Sequence, residues 1–155
     1  MNFKSDFINE IKSRGFVYQD IDIKELDSIM SKKSICGYIG FDITGDSLHI
    51  GSLVQLMLLH WMDYYGHKPI ALVGGGTTLV GDPSGKDKTR KILSENEIEK
   101  NIKNIQNILK KFLDNDDPLT KPIFVNNYKW LKELNYISFL RDIGKHFTIN
   151  RMLTF

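Results

Sequence analysis

The residues of this chain best suited to chemistry lie in one glycine-bearing stretch, Gly40–Ser52. The stretch follows a strand-like apolar run, Ile35–Phe41, and leads into a helix-like apolar run that begins at Ile50. In α/β proteins, the free backbone N–H groups and the positive dipole end of such a helix face a bound anion. At this position His49 can donate to a phosphate oxygen, and Gly51 lets a ribose or a ring approach the backbone closely. The stretch therefore predicts a phosphate or nucleotide site.

A second polar stretch, residues 81–90, brings Asp82, Lys86 and Arg90 together in the sequence. It differs from a P-loop, which needs four residues between its glycines and a hydroxyl residue after its lysine. Here three residues separate the glycines, and Asp87 follows the lysine. Taken alone, such a charged run is typical of a solvated loop.

The elements that must position these residues follow from the spacing of apolar side chains. Helical spacing predicts a helix over residues 2–14. After His49, apolar residues recur with the 3.6-residue period until Gly66, which predicts a long helix buried on more than one side. Ser94 and Glu97 have the spacing of a capping box at the start of another helix.

Two further apolar runs, 69–73 and 122–125, have the length and the boundaries of buried strands, and residues 128–143 favour helix. The alternation of strands and helices predicts an α/β fold, a Rossmann-like parallel sheet with flanking helices and right-handed crossovers. The glycines at 74–76 do not match the G-x-G-x-x-G dinucleotide fingerprint.

Composition sets the outer limits. The 155 residues are one domain by length, and a net charge of +2 gives no sign of a dedicated nucleic-acid module. The lone Cys36 allows no internal disulfide, and with the four histidines it forms no zinc pattern. The N-terminus lacks the apolar stretch of a secretory signal, and the longest uncharged run, 47–62, is too short to span a bilayer. We therefore expect a cytoplasmic protein with no metal site and no membrane partner.

The run His49-Ile50-Gly51-Ser52 resembles the HIGH signature of class I aminoacyl-tRNA synthetases. With its lead-in, residues 38–48, it is similar to the bacterial tyrosyl-tRNA synthetases in particular. Two further blocks, 81–90 and 139–147, match the same family in the same order, so the resemblance covers most of the chain from residue 38 onward.

The resemblance implies that His49 stabilises the transition state of adenylate formation and that Thr44 shares this work near the γ-phosphate. It also implies that Lys86 and Arg90 belong to a mobile loop that closes over pyrophosphate. These four residues are the predicted catalytic set. Outside this sequence context, His49 would be interpreted as a solvated helix cap.

The same resemblance assigns ATP binding to Asp42, His49, Gly51 and Ser52, with adenine packed against Gly51. Ser52 replaces the second histidine of the signature, and Ile43 stands where the family often has proline. ATP is expected as a substrate accompanied by Mg²⁺, with no tightly bound cofactor.

Tyr38, Gly40 and Asp82 are the predicted tyrosine-binding residues. The resemblance implies that Tyr38 hydrogen-bonds the phenolic OH and that Asp82 binds the α-ammonium group. A site built to hydrogen-bond a hydroxyl rejects the analogue that lacks it, a rule for which tyrosyl-tRNA synthetases are themselves the usual example. The plainer interpretations are a core tyrosine at 38 and a loop aspartate before proline at 82.

The implied activity is that of a tyrosine–tRNA ligase. L-tyrosine and ATP form tyrosyl-adenylate and pyrophosphate, and the tyrosyl group then passes to tRNA(Tyr). We expect residues 1–33 to form an N-terminal helical segment and residues 34–155 to form the first half of the catalytic domain. The remaining catalytic half and the tRNA-binding domains would lie outside the chain, so we expect this fragment to be inactive alone and the full-length protein to be a homodimer.

Three alternatives stay open on the sequence. A tryptophanyl-tRNA synthetase would differ before the histidine and would lack the Gly-Asp-Pro-Ser-Gly block. A nucleotidyltransferase of the HIGH superfamily would have a related fold and would not use tRNA. A truncated synthetase-like binding module, which is not an enzyme, would show no tyrosine-dependent exchange of pyrophosphate into ATP.

Overall fold

The computed structural model describes residues 3–19, 22–80 and 93–153. Its helices and strands follow one another in this order: α1 (Asp6–Ser13), α2 (Ile23–Met30), β1 (Cys36–Phe41), α3 (Ile50–Tyr64), β2 (Lys68–Val73), α4 (Gly75–Val80), α5 (Glu95–Phe112), β3 (Ile123–Asn126), α6 (Tyr128–Leu131), α7 (Tyr136–Asp142), a 3₁₀ turn (Gly144–His146) and α8 (Ile149–Met152).

The three strands form one parallel sheet in the order β1-β2-β3, which confirms the predicted Rossmann-like α/β class. Phe41, Val73 and Asn126 are paired across the sheet and are the last residues of their strands. The strands therefore end level with one another. The loops that follow them share one edge of the sheet, the carboxyl edge, where open α/β folds bind their ligands.

One face of the sheet is covered by α3 and α5. Ala71 and Val73 of β2 share an apolar core with Leu59 of α3 and with Ile105 and Leu109 of α5. All five side chains are 1% exposed or less. Burying a large aliphatic side chain in this way is worth roughly 1.5–3 kcal/mol. The same core contains Phe41 and Leu56, so it holds α3 against the end of β1, where the sequence predicts the nucleotide site.

The opposite face of β1 is open. Cys36, Tyr38 and Gly40 alternate along the strand and are exposed on this face. The polar and glycine residues of β1 predicted to bind a ligand therefore point away from the apolar core. This arrangement leaves them accessible from solvent.

The N-terminal helices pack on α3 as well. Phe7 and Ile8 of α1, Met30 of α2 and Met62 of α3 belong to a second apolar cluster. The carboxylate of Asp27 accepts hydrogen bonds from backbone N–H groups just before α1, the shorter being 2.7 Å long. The division of the chain after residue 33 stays a prediction, and this cluster ties both sides of it to the same helix.

Three elements differ from the sequence-based expectations. The first helix spans Asp6–Ser13 instead of 2–14, because Ser5 caps it by accepting from the N–H of Ile8. Helix α4 was not predicted, since its two glycines cost about 1 kcal/mol each against alanine in a helix. The segment 128–143 contains two short helices, α6 and α7, separated by a turn. No described helix combines the length and the apolar character needed to cross a membrane.

Candidate functional site

The carboxyl edge of the sheet brings together Asp42, Gly74 and Asn127, the residues that follow the three strands. The N–H of Gly74 donates to the carbonyl of Phe41 at 2.9 Å, and the N–H of Asn127 donates to the carbonyl of Val73 at 3.2 Å. A Cβ atom at Gly74 would lie 3.9 Å from Oδ1 of Asp42. The loops after β1 and β2 therefore meet at van der Waals distance, and we take this edge as the candidate site.

His49 is the N-cap residue of α3. Its Nδ1 atom accepts a 3.0 Å hydrogen bond from the N–H of Gly51. In a neutral imidazole whose Nδ1 is an acceptor, Nε2 carries the proton and is a donor. The side chain is exposed. It therefore caps the helix with one nitrogen and offers the other to an anion at the positive end of α3.

The space that a side chain at Gly51 would occupy is filled by the ring of His49. A Cβ atom at position 51 would lie 2.8 Å from Cε1 and 2.9 Å from Nδ1 of His49. Distances under 3.0 Å are not compatible with a real Cβ contact. Glycine at this position lets the imidazole lie against the first turn of α3.

The other predicted nucleotide residues differ in exposure. Asp42 and Thr44 are exposed in the loop between β1 and α3, and Gly51 is exposed in the first turn of the helix. Ser52 is 7% exposed, and its N–H donates to the carbonyl of His49 at 2.9 Å. The first three can contact a ligand directly. The buried side chain of Ser52 faces the protein, and its assignment to ATP stays a prediction.

Tyr38 lies on the open face of the sheet and is 71% exposed. Tyr38 pairs with Ile70 of β2, and the next exposed position on β1 is Gly40, which pairs with Leu72. A Cβ atom at Gly40 would lie 3.7 Å from Cδ2 of Leu72. With no side chain at position 40, a flat gap remains between the tyrosine and the carboxyl edge, bordered by an apolar side chain.

Asn127 fixes the start of α4 and was not singled out by the sequence. Its Oδ1 accepts a 2.7 Å hydrogen bond from the N–H of Gly76, and its Nδ2 donates to Oγ1 of Thr77 at 3.2 Å. A Cβ atom at Gly75 would lie 2.4 Å from Oδ1 of Asn126. The buried amide of Asn127, the half-buried amide of Asn126 and the two glycines therefore fit α4 closely against the end of β3. Two consecutive asparagines at the end of β3 are the only sequence signal that could have drawn attention to this contact.

Three predicted residues, Asp82, Lys86 and Arg90, lie outside the described residues. Their assignments to tyrosine and pyrophosphate stay predictions. Among the described residues, no group of three histidine, cysteine, aspartate or glutamate side chains could hold a metal ion.

A family comparison matches residues 30–155 to the tRNA synthetases class I (W and Y). This match covers the whole sheet, the capping histidine and the open face around the exposed tyrosine. The chain belongs to this family of class I tRNA synthetases.

Relatives with high sequence identity carry the name tyrosine–tRNA ligase. The protein from Pelagibacter ubique is 65% identical over 149 residues, which are 96% of this chain and 36% of that protein. The protein from Bartonella quintana is 51% identical over 153 residues, 99% of this chain and 37% of that protein. The chain therefore spans a little over a third of the length of these curated relatives.

Solved structures of two mitochondrial tyrosyl-tRNA synthetases, both C-terminally truncated, share the fold. The Aspergillus nidulans structure has a TM-score of 0.81 and 26% identity, covering 96% of this chain and 45% of that one. The Coccidioides posadasii structure has a TM-score of 0.78 and 27% identity, covering 95% of this chain and 42% of that one. Both likenesses support the incomplete Rossmann-like architecture.

Proposed function

We propose that this chain is part of a tyrosine–tRNA ligase and carries a large share of its ATP and tyrosine site. The observation that carries the proposal is the 65% identity to a tyrosine–tRNA ligase over 96% of the chain. The position of His49 supports it, because the imidazole presents a donor at the start of α3. The activity belongs to the full-length protein that contains this chain, since the relatives are almost three times as long.

In the proposed first step, the carboxylate of tyrosine attacks the α-phosphate of ATP and pyrophosphate leaves. Negative charge develops on phosphate oxygens, so donors placed in advance lower the barrier. Nε2–H of His49 is such a donor, and its direction is fixed by the bond from Gly51 to Nδ1. The exposed hydroxyl of Thr44 is the second proposed donor. This kind of catalysis requires donors that are fixed before ATP binds, and the hydrogen bond from Gly51 to Nδ1 supports such a role for His49.

The remaining nucleotide contacts are proposed from the exposed positions around His49. Asp42 lies beside the turn after β2, and Gly51 leaves the first turn of α3 without a projecting side chain. We assign the ATP ribose and adenine to this surface, with Ser52 beside it in the first turn of α3. Mg²⁺ accompanies the phosphates of ATP, as it does in most nucleotide sites. Lys86 and Arg90 are proposed to neutralise the leaving pyrophosphate.

We propose that the tyrosine side chain lies on the open face of the sheet. Its ring would occupy the gap above Gly40, with Leu72 at its edge, and its hydroxyl would meet the hydroxyl of Tyr38. This side chain is 71% exposed and lies two residues along β1 from the gap. Asp82 is proposed to bind the α-ammonium group. A carboxylate and a hydroxyl at opposite ends of the ring would select the length and the polarity of tyrosine.

The proposal also includes transfer of the tyrosyl group to tRNA(Tyr), a homodimeric state and a cytoplasmic location. Apolar side chains between residues 136 and 153 support the dimer, because Tyr136, Ile137, Phe147 and Ile149 are each more than 60% exposed. Where exposed apolar side chains adjoin, they mark surfaces that contact other protein segments. The free cysteine Cys36 is consistent with a reducing compartment.

The test is charging of tRNA by the full-length protein, supplied separately with tyrosine, phenylalanine or tryptophan. We expect charging with tyrosine alone, and none by the 155-residue chain assayed in parallel. Charging with tryptophan instead would contradict the proposed specificity. Adenylate formation that never reaches tRNA would favour a small-molecule nucleotidyltransferase. Absence of any amino-acid-dependent turnover by the full-length protein would favour a binding module.

A further inference from the structure

A buried asparagine in α5 lies among the apolar residues that face the sheet. Asn101 is 8% exposed and shares the buried side of the helix with Ile98 and Ile105. A buried amide without a partner is costly, so the partner of Asn101 indicates what the residue does. Its Nδ2 donates to the carbonyl oxygen of Ile43 at 3.2 Å. Helix α5 is thereby attached to the loop that follows β1.

The attachment point is the start of the loop that carries the proposed ATP donors. Ile43 is fully buried in the core, and Thr44 is the next residue along the chain. Among the described residues, the bond from Asn101 is the only hydrogen bond that reaches residues 43–48. The far end of this loop is held by the cap that His49 forms on α3. The loop is therefore anchored at both ends, and Asn101 provides the polar anchor at its beginning.

We propose that Asn101 is a positioning residue for adenylate formation. It does not contact the proposed substrates, and it acts by holding the carbonyl of Ile43 so that Thr44 faces the phosphates of ATP. This inference rests on the proposed function and deepens it. A displacement of about 1 Å in a group that positions the reacting atoms can reduce the rate by up to about 100-fold. A single buried bond at the base of a loop is able to produce such a displacement.

The test substitutes Asn101→Leu in the full-length protein, with Asn107→Leu as the matched control. Leucine has the same number and branching of side-chain heavy atoms as asparagine, suits a helix and joins an apolar surface, so the fold is expected to be kept while the donor is lost. Asn107 is exposed on the same helix. We expect kcat for tyrosine-dependent ATP–pyrophosphate exchange to fall about tenfold with Asn101→Leu, with KM for tyrosine within about twofold of the wild type. The control is expected to retain both constants.

A double variant separates positioning from a general structural effect. If Asn101 acts through Thr44, the roughly tenfold loss shrinks to about twofold or less when Asn101→Leu is introduced into a Thr44→Ala background. Equal losses in both backgrounds would overturn the proposal. A rise of KM for tyrosine with unchanged kcat would overturn it as well.

Backbone NMR relaxation supplies a readout that does not depend on activity. We expect lower order parameters for the amides of residues 43–48 in Asn101→Leu, with unchanged values in β2. Unchanged order parameters in residues 43–48 would overturn the proposal. A wild-type protein with no tyrosine-dependent activity would contradict the proposed function, and the order parameters would still decide whether Asn101 holds the loop.

Discussion

The imidazole of His49 lies against the backbone of Gly51, and the two are joined by a 3.0 Å hydrogen bond from the glycine N–H to Nδ1. This one contact caps α3, fixes which ring nitrogen carries the proton and leaves Nε2–H directed to solvent. It also explains why position 51 has no side chain. The capping role and the proposed catalytic role of His49 therefore depend on the same geometry.

Substituting Gly51→Ala is expected to separate activity from stability. The new methyl group would lie within 3 Å of the imidazole and would push the ring aside. Loss of the cap costs about 1 kcal/mol, and alanine returns roughly 0.8–1 kcal/mol of helix propensity, so the free energy of unfolding should change little. We expect kcat of the full-length protein for pyrophosphate exchange to fall by at least about tenfold. Gly45→Ala is the control, since a Cβ atom there has room; equal losses in both variants would contradict the explanation.

Substituting Tyr38→Phe is expected to weaken discrimination between tyrosine and phenylalanine. The change removes the hydroxyl proposed to bond the substrate phenol and leaves the aromatic ring in place. Loss of one neutral hydrogen bond, about 0.5–1.5 kcal/mol, corresponds to roughly a 2- to 13-fold change in the ratio of kcat/KM values. The ratio is measured by pyrophosphate exchange with each amino acid. Tyr64→Phe, an exposed tyrosine on α3, should leave it unchanged. If the ratio of kcat/KM values were unchanged in Tyr38→Phe, Tyr38 would not determine specificity.

Substituting Asn127→Leu is expected to destabilise the fold at α4. The N–H of Gly76 would lose its acceptor in a buried position, which costs about 1–3 kcal/mol in the free energy of unfolding. Asn127→Asp should cost less, because a carboxylate oxygen can still accept from this N–H. Urea denaturation of the wild type and the two variants measures their free energies of unfolding and gives the order of stability. A leucine variant as stable as the wild type would show that the bond from Gly76 does not contribute to the free energy of unfolding.

The stability of the chain is expected to fall in mildly acidic solution because of His67. This residue is 4% exposed, its Nδ1 accepts a 3.4 Å hydrogen bond from the N–H of Ile35, and its ring packs edge-on against Phe7. Burial lowers the pKa of His67 below its usual value of 6.5. Above this pH both the folded and unfolded states hold neutral imidazole. Below it, the unfolded chain takes up a proton more readily than the folded chain.

The free energy of unfolding should therefore fall as the pH drops below about 6.5, by at most about 1.4 kcal/mol per pH unit for one proton. Urea denaturation between pH 5 and 8 measures this slope, with His67→Gln expected to reduce it. His146→Gln changes an exposed histidine and should keep the wild-type slope. If the slope of the free energy of unfolding against pH were unchanged in His67→Gln, other groups would cause the pH dependence.

The parts of the fold that could be predicted from the sequence are those that depend on local periodicity. The long helix after His49 and the capping box of Ser94 with Glu97 are both confirmed, because side-chain spacing and capping are short-range effects. Helix α4 could not be predicted, since its glycines disfavour helix locally. Its stability comes from contacts with Asn127, about fifty residues further along the chain.

The candidate site shows the same division. Tyr38 and His49 could be chosen as candidates because residues 38–52 resemble a family signature; both are exposed in the structure, and their roles stay predictions. The role of Asn101 could not be predicted. A polar residue on the apolar side of α5 interrupts the helical pattern, but the pattern does not identify the group that this residue contacts. Only the fold brings its amide to the carbonyl of Ile43, 58 residues earlier in the chain.

The central claim, that His49 and its surroundings activate tyrosine, is tested most directly by tyrosine-dependent ATP–pyrophosphate exchange in the full-length protein. We compare the wild type with His49→Ala, and use His146→Ala as a control that alters an exposed histidine on the 3₁₀ turn. The account predicts exchange with tyrosine in the wild type and the control, and a loss of about 100-fold or more in His49→Ala. Exchange at wild-type rate in His49→Ala would contradict it, as would a wild-type protein that exchanges with tryptophan but not with tyrosine.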